Sequence, residues 1–321
     1  MRLLPALLVA SLVSVAACSD SGSSRSADTA APSTAAPSTA APTTASDTSL
    51  APAPTADPAR PYEIYVPTSY DGTTSVPLVM LLHGYGASAV IQEAYFQVQP
   101  LAESRGFIYV RPDGTTNQVG KQFWNATPAC CGFGTGIDDS TYLMNIINDV
   151  SNQYNIDPKR VYVMGHSNGG FMSYRMACDH ADRIAAIASL AGSTFVKAFD
   201  CSPKEPVSVL QVHGTADQTI LYQGSAILGQ EYPSAENTVS MWANYDKCGT
   251  PSAKASPPLD VEQSIAGAET TVETFDKCPA GIDVELWSVK GGGHIPAINT
   301  ASTPYPLTEG MIDFLLAHPK P

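Results

Sequence analysis

From about residue 60 onward the chain alternates between two patterns. Apolar runs occur near 62–66, 76–82, 107–110, 160–164, 184–190, 207–212 and 284–289. Short runs of this kind, rich in Val, Ile and Leu, read as strands buried in a sheet. Helical spacing of apolar positions occurs near 141–154, 169–179, 234–245 and 308–317. Thr270–Phe275 is a candidate for one further strand. The alternation predicts an α/β fold, with a mostly parallel sheet covered by helices on both faces. No unit is duplicated. The interval between the strands at 184–190 and 207–212 leaves no room for a separate helical cap, so an open cleft is expected.

The N-terminal pattern is different. Met1-Arg2 precedes an apolar stretch, Leu3 to Val15, that is too short to span a bilayer. It ends in Val15-Ala16-Ala17-Cys18. Small residues before a cysteine resemble a bacterial lipobox. Residues 1–17 are therefore expected to be a signal peptide and Cys18 to carry lipid; an ordinary cleaved signal peptide is the alternative. From Cys18 to residue 57 the chain is rich in Ala, Pro, Ser and Thr and has almost nothing to bury. Proline makes it a semi-extended tether. Residues 58–321 are long enough for one large α/β domain.

The strand at 160–164 runs into Gly165-His166-Ser167-Asn168-Gly169. A G-x-S-x-G turn between a strand and a helix is a nucleophile elbow, which lifts the serine hydroxyl above the sheet edge. Its glycines leave room for the chain to fold back closely. The following segment, Asn168 to Tyr174, reads as a helix start whose free N–H groups favour negative charge.

A serine needs a base, and on such a scaffold the partners follow in the order Ser, Asp or Glu, His. Val207–Val212 leads through His213-Gly214-Thr215-Ala216 to Asp217, just past a strand. Asp283 and Asp276 are competing acids. Val284–Val289 leads through Lys290-Gly291-Gly292-Gly293 to His294. The glycines allow that loop to swing His294 over the serine. Of the six histidines, His83 ends an early strand, His166 lies inside the elbow, and His180 and His318 sit in helical or terminal contexts. His213 reads as support for the acid loop. This leaves His294 as base.

Two backbone N–H groups are needed for an oxyanion hole. One falls on Asn168, the residue after the nucleophile. The other falls on Tyr85, in the His83-Gly84-Tyr85-Gly86 loop after the strand at 76–82. The loop from Pro112 to Asp139 brings Phe123, Trp124 and Phe133 toward the expected cleft mouth, with Trp124 a candidate substrate contact.

The segments LLHGYGAS, RPDG, Trp124-Asn125, Cys130-Cys131, Asp138-Asp139, RVYVMGHSNGGFMSYRMAC, HGTAD and GGGH occur in this order. Together they resemble the polyhydroxybutyrate depolymerase-like esterases, which are related to feruloyl and acetylxylan esterases. The resemblance covers roughly residues 60 to 317. It implies an α/β-hydrolase fold, secreted ester hydrolysis, and a triad on Ser167, Asp217 and His294. The chain departs from the pattern at His294-Ile295-Pro296, where relatives often carry Trp-Pro shortly after the histidine.

Seven cysteines in an exported chain point to disulfides. Setting Cys18 aside, Cys248 with Cys278 and Cys178 with Cys201 are the favoured pairs. Cys130 and Cys131 then pair with each other, or each pairs elsewhere. No C-x-x-C occurs and the histidines are scattered, so no metal and no cofactor are expected. The net charge of −13 disfavours nucleic acid as a partner. The expected partner is an ester, polymeric esters included, for a monomeric enzyme. Contact with a membrane would come only through the N-terminal lipid. The expected location is the cell surface or periplasm, with simple secretion as the alternative. A serine peptidase or amidase, and a non-catalytic surface lipoprotein, are the competing functions.

Overall fold

Nine strands assemble into one sheet in a computed structural model of the chain, which describes residues 60–252, 257–298 and 307–321. The expected signal peptide, Cys18 and the tether to residue 57 lie outside the described residues. In chain order the elements begin with β1 (Tyr62–Tyr65), β2 (Val76–Leu82), α1 (Ala89–Phe96), α2 (Val98–Arg105) and β3 (Ile108–Pro112). A short hairpin, β4 (Thr115–Thr116) and β5 (Gln122–Phe123), precedes α3 (Asp139–Gln153). Then come β6 (Ile156–His166), α4 (Asn168–Asp179), β7 (Ala186–Leu190) and β8 (Ser208–Gly214). A second hairpin, β9 (Ser225–Ile227) and β10 (Gln230–Tyr232), leads to α5 (Ala235–Tyr245) and β11 (Pro251–Ser252). The last elements are β12 (Thr270–Phe275), β13 (Val284–Val289) and α6 (Leu307–Ala317).

The strand order is β1-β3-β2-β6-β7-β8-β13-β12-β11. From β3 to β13 neighbouring strands are parallel. Antiparallel partners close both edges: β1 on β3, and β12 then β11 beyond β13. The chain fills one side of β2 with β3 and then the other with β6. That reversal makes the carboxyl ends of β2 and β6 a topological switch point, where a parallel sheet opens a crevice for ligands.

Alternation along β2 explains the two layers. Leu78, Met80 and Leu82 join the core beneath α3, α4 and α5, with Leu143, Phe171 and Trp242. Val79 and Leu81 face the opposite core, with Phe96, Ala102, Met311 and Leu315 from α1, α2 and α6. Because both faces are covered, the strands lack polar alternation.

Two helices depart from the sequence reading, which left residues 89–105 without helical structure. On α1 the apolar pattern is inverted: Val90 and Ile91 face solvent, while Gln92 is buried. On α2 only Val98 and Ala102 are buried, so no apolar stripe marks it. The absence of a cap is as expected. Residues 191–207 contain only the single 3-10 turn Ala198–Asp200. The cysteines pair as Cys178–Cys201, Cys248–Cys278 and Cys130–Cys131.

Candidate active site

β6 ends at His166, and the chain turns at Ser167 with φ 54° and ψ −118°. A positive φ is strained for a residue with a Cβ and persists only where the surroundings enforce it. Here they do. The Ser167 N–H donates to the Leu190 carbonyl at 2.8 Å, and Phe171 N–H returns to the Ser167 carbonyl at 3.0 Å. A Cβ at Gly165 would run into the Gly169 backbone, and one at Gly169 into the Leu82 carbonyl. The two glycines therefore let β6 and α4 close onto β2, and they deliver Ser167 to the switch point.

The next two strands in the parallel run that bear on the site are neighbours. β8 ends at Gly214 and β13 at Val289. Their loops are stitched together: Thr215 N–H donates to Val289 O at 2.9 Å and Ala216 N–H to Gly292 O at 3.0 Å. A Cβ on Gly214 would strike Gly292. This brings Asp217 and His294, 77 residues apart, into a hydrogen bond of 2.8 Å between His294 Nδ1 and Asp217 Oδ2. The competing acids are elsewhere. Asp283 Oδ2 is engaged by His318 Nε2 at 2.8 Å, and Asp276 follows β12 toward the antiparallel edge.

Asp217 is buried, and burial by itself would raise its carboxyl. The neighbouring His213 and His294 outweigh this and hold the group well below the usual carboxylate range. The His294 bond is the short one. His213 Nε2 lies 3.5 Å from Asp217 Oδ2 and points its proton at the Ile220 carbonyl, 2.8 Å away. Thr219 and Ile220 N–H groups complete the acid's shell on Oδ1 at 2.8 and 3.0 Å. Behind His213, Gln211 Nε2 donates to His213 Nδ1 at 3.0 Å, and Tyr174 donates to Gln211 Oε1 at 2.8 Å.

The second arm grows from β2. In the loop His83-Gly84-Tyr85-Gly86, most donors are committed. Gly84 N–H donates to Gln92 Oε1 at 2.9 Å, and Gly86 N–H to the Gln122 carbonyl at 2.8 Å. Among the described residues the Tyr85 N–H has no partner. The Asn168 N–H, first in α4, is free in the same way. These are the two donors expected from sequence. The Tyr85 hydroxyl accepts from Asn117 Nδ2 at 2.9 Å, and its ring is 43% exposed.

Trp124 is not at the mouth. It is fully buried, with its indole N–H donating to the His83 carbonyl at 3.0 Å. A hydrogen-bonded ring under the His83 loop braces that loop and does not face a substrate. Of the three aromatics expected near the cleft, Phe123 is buried as well and only Phe133 is exposed.

His166 has a partner that the sequence reading did not give it. Its Nε2 lies 2.8 Å from the His294 carbonyl, and the two rings stand 4.8 Å apart. This places the His294 imidazole next to the residue before Ser167. Among the described residues Ser167 Oγ makes no hydrogen bond to His294.

Comparison with solved structures agrees with this architecture. The acetyl xylan esterase from Aspergillus awamori superposes with a TM-score of 0.56 at 17% identity, covering 84% of this chain and 97% of that one. The chain has the α/β-hydrolase fold. The prolyl oligopeptidase family matches this chain over residues 93–218. Feruloyl esterase B of Piromyces equi is 31% identical over 237 residues, which is 71% of this chain and 41% of that protein. The bifunctional acetylxylan esterase/xylanase XynS20E of Neocallimastix patriciarum is 28% identical, over 74% of this chain and 31% of that protein. The chain thus spans less than half the length of these two relatives. Feruloyl esterase D of Neurospora crassa is 26% identical over 74% of this chain and 75% of its own length.

Proposed function

We propose that the protein is an exported serine carboxylic ester hydrolase. Ser167 is the nucleophile, His294 the general base and Asp217 the acid that orients it. One observation carries this reading: the 2.8 Å Asp217–His294 pair is delivered to the same sheet edge as a serine held at φ 54°. With Nδ1–H donated to Asp217, His294 Nε2 is left to take the proton from Ser167 Oγ. Oγ then attacks the ester carbonyl. Negative charge builds on the carbonyl oxygen, against the N–H groups of Tyr85 and Asn168. Collapse of the tetrahedral intermediate expels the alcohol, which takes the proton back from His294. Water then attacks the acyl-enzyme by the same route and restores Ser167.

The feruloyl and acetylxylan esterases among the relatives support an ester of plant-cell-wall type as substrate. The uncapped segment 191–207 suits an ester borne on a polymer, synthetic or microbial polyesters included. Three disulfides support export, and the Val15–Cys18 sequence supports a lipid on Cys18. The test is a fluorophosphonate probe, which should label the wild type and spare Ser167→Ala, combined with a panel of feruloylated, acetylated and hydroxybutyrate esters. The match to the prolyl oligopeptidase family favours amide hydrolysis as a second reading. An anilide turned over faster than the matching p-nitrophenyl ester would select it. Mass spectrometry of native protein beginning at a modified Cys18 tests the anchor, and a mature terminus beyond Cys18 overturns it.

A further inference from the structure

We propose that His166 is a positioning residue for the base: its ring donates to the His294 carbonyl and fixes the angle at which the imidazole meets Ser167. This rests on the serine-hydrolase reading above. A hydrogen bond from one ring nitrogen to Asp217 leaves the imidazole free to tilt about that bond. A second hold on the backbone of the same residue removes the freedom. His166 supplies it at 2.8 Å across 128 residues of sequence.

The chemistry of the bond fixes the state of the ring. A carbonyl oxygen only accepts, so Nε2 of His166 carries the hydrogen and Nδ1 does not. Burial, and then the nearby charge of His294, push the His166 pKa down to about 4. The ring is therefore neutral while His294 becomes an imidazolium, and no second positive charge opposes that step from 4.8 Å away.

Placement gives the bond its value. His166 is the last residue of β6, paired with Leu190 of β7, and Ser167 follows it directly. The anchor of the base and the nucleophile are thus consecutive residues on one rigid strand. On its other side the ring meets the oxyanion arm, where a Cβ on Gly84 would lie 3.4 Å from Nδ1. The Tyr95 hydroxyl holds the next part of the base loop through the Pro296 carbonyl at 2.8 Å. His166 therefore sits as a wedge between the two arms of the site.

The experiment compares wild type, His166→Leu and His166→Gln on p-nitrophenyl acetate. Leucine removes the donor, and glutamine keeps a side-chain N–H. His166→Leu should lower kcat by about 10- to 100-fold with KM within about twofold, the scale expected when a catalytic group is misplaced by a fraction of an ångström to an ångström. His166→Gln should recover about tenfold of that loss. Equal losses in both variants, a loss confined to KM, or wild-type kcat in His166→Leu would each overturn the proposal. If the leucine variant does not fold, nitrogen-15 NMR of the wild type decides. A Nε2–H tautomer at His166 supports the bond, and a Nδ1–H tautomer excludes it. A wild type that neither reacts with the fluorophosphonate probe nor hydrolyses the ester would sink the hydrolase reading itself, which separates the two failures.

Discussion

The side-chain amide of Asn168 brackets the backbone of Trp124. Its Oδ1 accepts the Trp124 N–H at 2.7 Å, and its Nδ2 donates to the Trp124 carbonyl at 2.9 Å. Trp124 in turn reaches the His83 carbonyl. One buried tryptophan therefore ties the elbow to the neighbouring β2 loop, and so ties the Asn168 N–H to the Tyr85 N–H. Asn168→Ala would leave the buried Trp124 N–H unpaired, while the Trp124 carbonyl keeps the Cys131 N–H at 3.1 Å. The substitution should cost about 1–3 kcal/mol of stability in urea unfolding, the scale for one orphaned buried group. It should also lower kcat by loosening the spacing of the two donors. Unchanged unfolding would mean the bracket contributes nothing.

Ser167→Ala should fold as the wild type and leave ester turnover near the uncatalysed blank, because loss of a triad nucleophile costs on the order of a million-fold. Circular dichroism together with p-nitrophenyl ester hydrolysis reads both. Turnover above about one per cent of wild type would reassign the nucleophile.

Asp217→Asn should keep the fold and reduce kcat by roughly three to four orders of magnitude, since an amide permits the wrong imidazole tautomer. Asp283→Asn is the control. Its carboxylate is occupied by His318, so kcat should stay within about twofold of wild type. A larger loss in the control than in Asp217→Asn would transfer the role.

Asp246 is fully buried, and burial raises its pKa to about 7, only partly opposed by the Val207 N–H and Lys320. Its Oδ2 has no hydrogen-bond partner among the described residues. The folded pKa exceeds the unfolded value. The contribution to stability is therefore complete below about pH 4 and lost as pH rises through about 7. By linkage the loss amounts to a few kcal/mol at most, about 1.4 kcal/mol for each pKa unit. Asp246→Asn should flatten the fall in urea midpoint between pH 5 and 8. An equal slope in variant and wild type would remove Asp246 as its source.

The strands were legible because burial on both faces writes a continuous apolar run, as at Val76–Leu82. The elbow was legible because its two glycines are dictated by steric contact with fixed backbone. The α1 helix was not. Gln92 is buried to receive the Gly84 N–H, and Val90 and Ile91 point outward, so composition inverts the usual signal. The acid had three candidates in sequence, and only the stitching of the β8 and β13 loops brings Asp217 to His294. Trp124 looked like a surface aromatic in a long loop. Its true surroundings, the Asn168 side chain and the His83 carbonyl, come from segments about 40 residues away and leave no local trace. The same holds for His166, whose partner lies on the last loop of the site.

On the serine-hydrolase reading, the stretch between β7 and β8 supplies no lid that must open before an ester enters or close before it reacts. Enzymes that shut over an acyl intermediate can keep water out and hand the acyl group to another alcohol. Residues 191–207 place no helix that would shield such an intermediate from solvent. On the serine-hydrolase reading, the choice between hydrolysis and acyl transfer is then settled by concentration, and water at solvent abundance takes nearly every acyl group.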